Sequence, residues 1–289
     1  MDRKTKIFIF LFLLPAVVGL GLYAYYFSGW NLSISMTNAR SLIFPAEFIG
    51  LGNYERFLVD SVFITVVKNT AIFTVLFMGG TLLLGLLLAI LIDQGIKGEG
   101  LYKVIILIPM AMPMVISGVL WSWMFSPRMG VINSLLRVLH LDFLTQPWIT
   151  SKSQALLCVI IAYIWVFTGF VALLYLANIR SLPNEQSESA RVDGASKFQL
   201  YWRVIIPQLR PATVMAFAVL FLNSLVAFDL VWTLTMGGPA GSSELLGTLM
   251  YKQTFQWNYF GYGAAIAQIM FIISMVVMVP YLYRSIRRR

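Results

Sequence analysis

The sequence is poor in the residues that most chemistry needs. It holds a single cysteine, Cys158, which rules out an internal disulfide and a cysteine metal cluster. It holds a single histidine, His140, which leaves no His-based dyad or multi-His metal site. No G-x-x-x-x-G-K-[ST] string occurs, so no loop of backbone amides is set up to cradle nucleotide phosphates, and ATP hydrolysis is not expected of this chain. Charge is scarce as well: 11% of the 289 residues are Asp, Glu, Lys or Arg, against about a quarter in soluble domains. What is abundant is apolar: 59% of the residues are hydrophobic. The chain therefore reads as an all-α integral membrane protein whose apolar runs face lipid, with no catalytic and no metal-ligating residues.

The apolar runs divide into six expected spans at about 7–27, 63–92, 104–125, 154–179, 212–235 and 263–283, forming one transmembrane domain over residues 1–289. Arg3, Lys4 and Lys6 precede the first run as in a signal peptide, but its apolar core is long and no A-x-A site follows, so it reads as an uncleaved anchor. Asn31–Asp60, with Arg40, Pro45, Glu47 and Arg56, reads as a polar loop. Lys68 and Asn69 mark a tilted or partly exposed start to the second span, and Gly95, Gly98 and Gly100 mark a short turn after it. Pro109 and Pro113 should kink the third span. Ile132, Leu135, Leu136 and Leu139 recur at helical spacing and predict a short interfacial helix. Met236–Tyr262 reads as a Gly-rich loop with two aromatic clusters.

Six spans place both termini on one side. Fourteen of the 21 Lys and Arg residues fall on that side and seven on the other, which assigns the termini to the cytoplasm. The net charge of +9, with Arg284, Arg287, Arg288 and Arg289 at the tail, is thereby explained by topology and anionic lipid, and nucleic acid is not an expected partner.

The stretch Glu188–Pro207, ESARVDGASKFQLYWRVIIP, mixes charges of both signs (Glu188, Arg191, Asp193, Lys197, Arg203) with apolar residues between two spans. Gly194 takes angles that other residues avoid and predicts two short helices meeting at an angle, within a loop over 183–210. Pro183 suits a helix start and Pro207 a helix end. Phe198, Trp202, Ile205 and Leu209 predict one apolar face for the second helix.

This stretch closely resembles the cytoplasmic loop of ABC importer permeases: E-A-A, three residues, G, nine residues, I-x-L-P. Glu188, Ala190, Gly194 and Pro207 fall on the pattern, with Ser189, Val204 and Ile206 as substitutions similar in size. Two further stretches are similar to the carbohydrate, maltose-type branch: Ile108-Pro-Met-Ala-Met-Pro113 with Trp121 and Gly130-Val-Ile-Asn133, and Phe228-Asp-Leu-Val-Trp232 with Leu234-Thr-Met-Gly-Gly-Pro239, Glu244 and Phe255. Permeases for glycerol phosphates share these stretches, so another polar solute stays open, as does a non-transport component or a secondary carrier with this fold. The resemblance implies the permease fold, in the cytoplasmic membrane of a bacterium or archaeon. It also implies two copies of a separate ABC ATPase that bind ATP and Mg, a second similar permease subunit, and a solute-binding protein outside. Glu188, Ser189, Ala190, Asp193 and Gly194 would dock on the ATPase: Glu188 as a charge, Ala190 as a small face for close approach, and Gly194 as the setter of the angle.

Polar groups inside apolar spans are costly and point to function. Asn223 and Ser224 lie midway along the fifth span and Asp229 nearer its end. On a continuous helix Asn223 and Asp229 would stand about 120° apart, so both cannot line one narrow pore. Asn223 has two readings, a hydrogen bond to a polyol or one between helices, and Asp229 is better read as a structural or gate pairing than as a sugar contact. Tyr163 and Trp121, with Trp165 and Phe167, offer aromatic faces to a sugar, or are ordinary interface aromatics. Gln268 is a further candidate on the same terms.

Overall fold

A computed structural model describes residues 3–41 and 46–287; Pro45 of the first loop, and Arg288 and Arg289 of the basic tail, lie outside the described residues. Among the described residues the only strand-like pairing is an isolated bridge between Thr37 and Phe48. Two compact units are present, one made of Met1–Asp60 and Leu249–Ile272, the other of Ser61–Thr248 and Ile273–Arg289.

In the first unit, α1 (Arg3–Gly21) passes through a π turn at Leu22–Tyr26 into α2 (Phe27–Ser35). The apolar helix Phe8–Ser35 is 28 residues long, so the first span continues past the end expected at Phe27. Asn31, Ser33 and Ser35 read as loop residues, yet each is satisfied inside the helical frame. Asn31 Nδ2 donates to the Ala264 carbonyl at 3.1 Å, and the two serine hydroxyls donate to carbonyls three residues back. The expected polar loop after it contains a helix, α3 (Gly52–Val59). Asn53 Nδ2 ties that helix to the carbonyls of Ser35 and Thr37, both at 2.8 Å. The Arg56 guanidinium lies 4.1 Å from the centre of the Tyr262 ring, and the Tyr262 hydroxyl donates to Asp60.

The second unit holds α4 (Ser61–Asp93), α5 (Glu99–Ala111), α6 (Met114–Met124), α7 (Val131–Val138), α8 (Ala155–Arg180), α9 (Asn184–Val192), α10 (Lys197–Gln199), α11 (Ile206–Gln208), α12 (Arg210–Leu225) and α13 (Asp229–Thr235). Two more helices, α14 (Leu246–Tyr251) and α15 (Phe260–Arg287), contribute residues to both units. Phe8–Ser35, α4, α8 and Phe260–Tyr281 are each long and apolar enough to cross a membrane; α5 with α6, and Lys197–Gln208 with α12, are bent pairs that bring the number to six.

The third and fifth spans depart from the sequence reading. The expected kink in the third span is a 100° bend. Met112 precedes Pro113 and is forced extended (φ −82°, ψ 145°), and Pro113 itself is extended (φ −56°, ψ 137°), so two consecutive residues leave the helix. The fifth span is not continuous over 212–235. Its helix stops at Leu225, Val226–Phe228 are unwound, and a new helix starts at Asp229. The angle worked out for Asn223 and Asp229 on a continuous helix therefore does not hold.

The core of this unit forms where α4 meets α8. Phe73, Phe77, Tyr163 and Phe167 make an edge-to-face and stacked aromatic group with ring centres 5.0–6.3 Å apart. Glycines let backbones approach, as small residues do between membrane helices. A Cβ on Gly169 of α8 would stand 1.8 Å from the Ile106 carbonyl oxygen of α5. The expected short helix is α7, with Gly130 before it. Asn133 on α7 is buried and binds its loop together. Its Nδ2 donates to the carbonyls of Pro127 and Gln146, and its Oδ1 accepts from the Trp148 indole at 2.7 Å.

Because a backbone carbonyl cannot yield as a side-chain tip can, Gly169→Ala should lower stability by about 1–3 kcal/mol through overpacking. Gly79→Ala, where a Cβ meets nothing within 4 Å, should be neutral. Thermal unfolding of the two variants in detergent checks the contrast.

Candidate functional site

The loop between α8 and α12 is two short helical segments joined by a closed turn. Ending α9, Ala195 N–H donates to the Ala190 carbonyl and Gly194 N–H to the Arg191 carbonyl, both at 3.0 Å, with Gly194 at φ +80°. This pair of bonds is the Schellman closure, and it requires a left-handed residue at position 194. A Cβ on Gly194 would meet nothing within 4 Å, so the demand there is on the dihedral and not on space. The next segment opens with a capping box: Ser196 Oγ accepts from Gln199 N–H, and Gln199 Oε1 accepts from Ser196 N–H. The S-x-x-Q signal for it, Ser196 to Gln199, stands openly in the sequence.

The expected single apolar face on this second segment does not form. Ile205 and Leu209 are buried, whereas Phe198 and Trp202 are 74% and 63% exposed. The cause is a π turn over Leu200–Ile205. An i→i+5 turn takes more residues than an α turn, so residues spaced for an α-helix rotate off a common face. Leu200, Ile205 and Leu209 anchor the segment, while the Phe198 and Trp202 rings stack in the open with centres 6.1 Å apart.

Of the five docking candidates, Glu188, Ser189, Asp193 and Gly194 are exposed. Ala190 is half-buried and packs against the unit's own hydrophobic cluster. On the inner side of the loop, Tyr201 Oη donates to Asp93 Oδ2 at 2.7 Å. Arg180 grips Glu99 with both terminal nitrogens, at 2.6 and 2.8 Å, and its Nε lies 3.7 Å from Asp93. Lys103 pairs with Glu99 from one turn further along α5. A polar cavity of about 420 Å³ lies between α9 and this cluster, lined in part by Glu188, Arg191, Ser187 and Tyr201.

Within the second unit the candidates for the solute path do not gather at one point. Ser224 is buried; its hydroxyl donates to the Phe221 carbonyl and accepts from Thr74 at 3.0 Å, a link from α12 to α4. Asn223 is half-buried and its Nδ2 donates within its own helix, to the Val219 carbonyl. Asp229 is exposed in the first turn of α13, where the helix dipole favours a negative charge. Tyr163 is buried in the aromatic group and reaches the Phe228 backbone at the break. Trp121 faces elsewhere, stacked on Phe125 and edge-on to Trp165, beside an apolar cavity of about 390 Å³. Gln268, in the other unit, accepts from Asn31 Nδ2 at 3.2 Å.

The family described as "binding-protein-dependent transport system inner membrane component" matches residues 81–289. A probable ABC transporter permease of Pyrococcus horikoshii is 46% identical, covering 96% of this chain and 95% of that one. A xylose/arabinose import permease of Haloferax volcanii is 38% identical over 89% of this chain and 81% of that one. Among solved structures, a bacterial ABC transporter involved in import of the acidic polysaccharide alginate shares the fold, with TM-score 0.84 at 22% identity, covering 99% of this chain and 97% of that one.

Since Gly194 is needed for its dihedral alone, Gly194→Asn, which tolerates left-handed angles, should keep the loop. Gly194→Leu should insert normally but open the turn. Backbone hydrogen exchange at positions 194 and 195, whose N–H groups close the turn, separates the two variants, and equal protection in both would remove the demand on the dihedral.

Proposed function

This chain belongs to the binding-protein-dependent transport system inner membrane components, and on that premise we propose that it is the permease subunit of an ATP-driven sugar importer working by alternating access. The observation that carries the reading is the Schellman-closed loop, which leaves Ser189, Asp193 and Gly194 exposed while its inner side is anchored by Leu200, Ile205 and Leu209. That is the form of a lever: one face for a partner, one face fixed to the bundle.

In this reading two ATPase copies bind and hydrolyse ATP with Mg, and this chain holds neither. Closing of the ATPases carries the docked loop with it, and α8 and α12, joined directly to the loop, turn. The path then opens to the outside, where a solute-binding protein delivers its cargo to this chain and a second permease subunit. The import of xylose and arabinose by the Haloferax relative supports a sugar as cargo. The excess of Lys and Arg on the side of the termini supports a loop that faces the cytoplasm.

Reconstitution of the chain with cognate ATPases, second permease and binding protein should give ATP-dependent uptake of a labelled sugar from a set of xylose, arabinose, maltose and trehalose. Uptake unaffected by omission of the ATPase would rule out the reading. Orientation is checked separately. Cys158 is buried and the sole thiol, so Ser189→Cys in a Cys158→Ser background reports on the loop alone. A membrane-impermeant maleimide should label it in inside-out vesicles and not in intact cells.

A further inference from the structure

The loop is joined by the chain itself to α8 and α12, but α4 and α5 can receive its movement only through contacts, and the apolar ones among these are non-directional. Among the described residues, the hydrogen bond from Tyr201 to Asp93 is the one side-chain polar link between residues 183–208 and the span ends. Asp93 is the last residue of α4, Arg180 the last of α8 and Glu99 the first of α5. Tyr201–Asp93–Arg180–Glu99 is thus a continuous chain of polar contacts from the loop to the ends of three helices. Its strongest joint, Arg180 on Glu99, is bidentate, which fixes orientation as well as distance. The π turn is what sets Tyr201 on the inner side while its neighbour Trp202 stands outside. A polar cavity lies beside this chain of contacts, between α9 and the span ends, so the loop has room to move there.

We propose that Tyr201 and Asp93 are the positioning residues that transmit movement of the loop to the ends of α4, α5 and α8, through the ion pairs of Arg180 with Asp93 and Glu99. This rests on the loop docking proposed above. The Tyr201 ring is half-buried, so Tyr201→Phe removes the hydroxyl and keeps the packing that holds the loop.

The test uses the full complex with its ATPases, trapped with MgATP and vanadate so that no solute is needed, and read by backbone hydrogen exchange. In the wild type, trapping should change exchange both in the loop, 184–208, and at the span ends, 93–99 and 180–183. In Tyr201→Phe the loop should respond as before, while the response of the span ends falls about threefold. Asp93→Ala, which removes the acceptor and the contact with Arg180, should do the same. A full response of the span ends in both variants would overturn the proposal. So would a Tyr201→Phe chain that no longer copurifies with the ATPase, because the hydroxyl would then hold the loop for docking. A wild-type loop that does not respond to trapping would instead bring down the docking reading on which the proposal rests.

Discussion

Inside a bilayer, a backbone group that leaves a helix must find its partner within the protein, because no water is there to supply one. The fold of the second unit depends on how that demand is met at its broken segments. At the break in the fifth span, Tyr163 of α8 reaches the Phe228 backbone. Where the chain turns back after α13, Asn69 of α4 donates to the carbonyls of Gly241 and Glu244, and Thr70 Oγ1 accepts the Leu246 N–H. Asn69 and Thr70, which look out of place in an apolar run, thus satisfy irregular backbone elsewhere. Asn69 in particular reads as the exposed start of a span and is instead buried.

Close packing works with these bonds. Gly118 of α6 has no room for a Cβ, which would fall 1.8 Å from Thr233 Oγ1 of α13, so the second halves of the two broken segments lie directly against each other. Gly169 plays the same part between α8 and α5. A segment broken by proline or by unwinding is held in place by such contacts, and α8, buried over more than half of its apolar window, packs against α5, α6 and α13 alike.

At the loop, local and long-range effects divide the work. The Schellman turn and the capping box are local and fix the angle between α9 and the following segment. The π turn is imposed on a segment whose residues are spaced for an ordinary helix, and it separates two stacked aromatic rings outside from Leu200, Ile205 and Tyr201 inside.

Much of this was legible in the sequence. Scarce charge and six apolar runs point to a membrane bundle because hydrocarbon selects composition directly, residue by residue. Gly194, with the acid and alanine before it, announces the turn because its bonds close within a few residues. The proline bend in the third span was visible in kind, though not its size. What the sequence could not decide were pairings between distant positions: Tyr201 with Asp93 across 108 residues, Ser224 with Thr74 across 150, Asn69 with Glu244 across 175. Periodicity records which face of a helix is apolar and not what that face meets. It also assumes an unbroken helix, which fails at Val226–Phe228 and at Leu200–Ile205. Environment, span count and the bent loop were therefore set by local chemistry, whereas the grip of the loop on the spans and the repair of each break came only from three-dimensional packing.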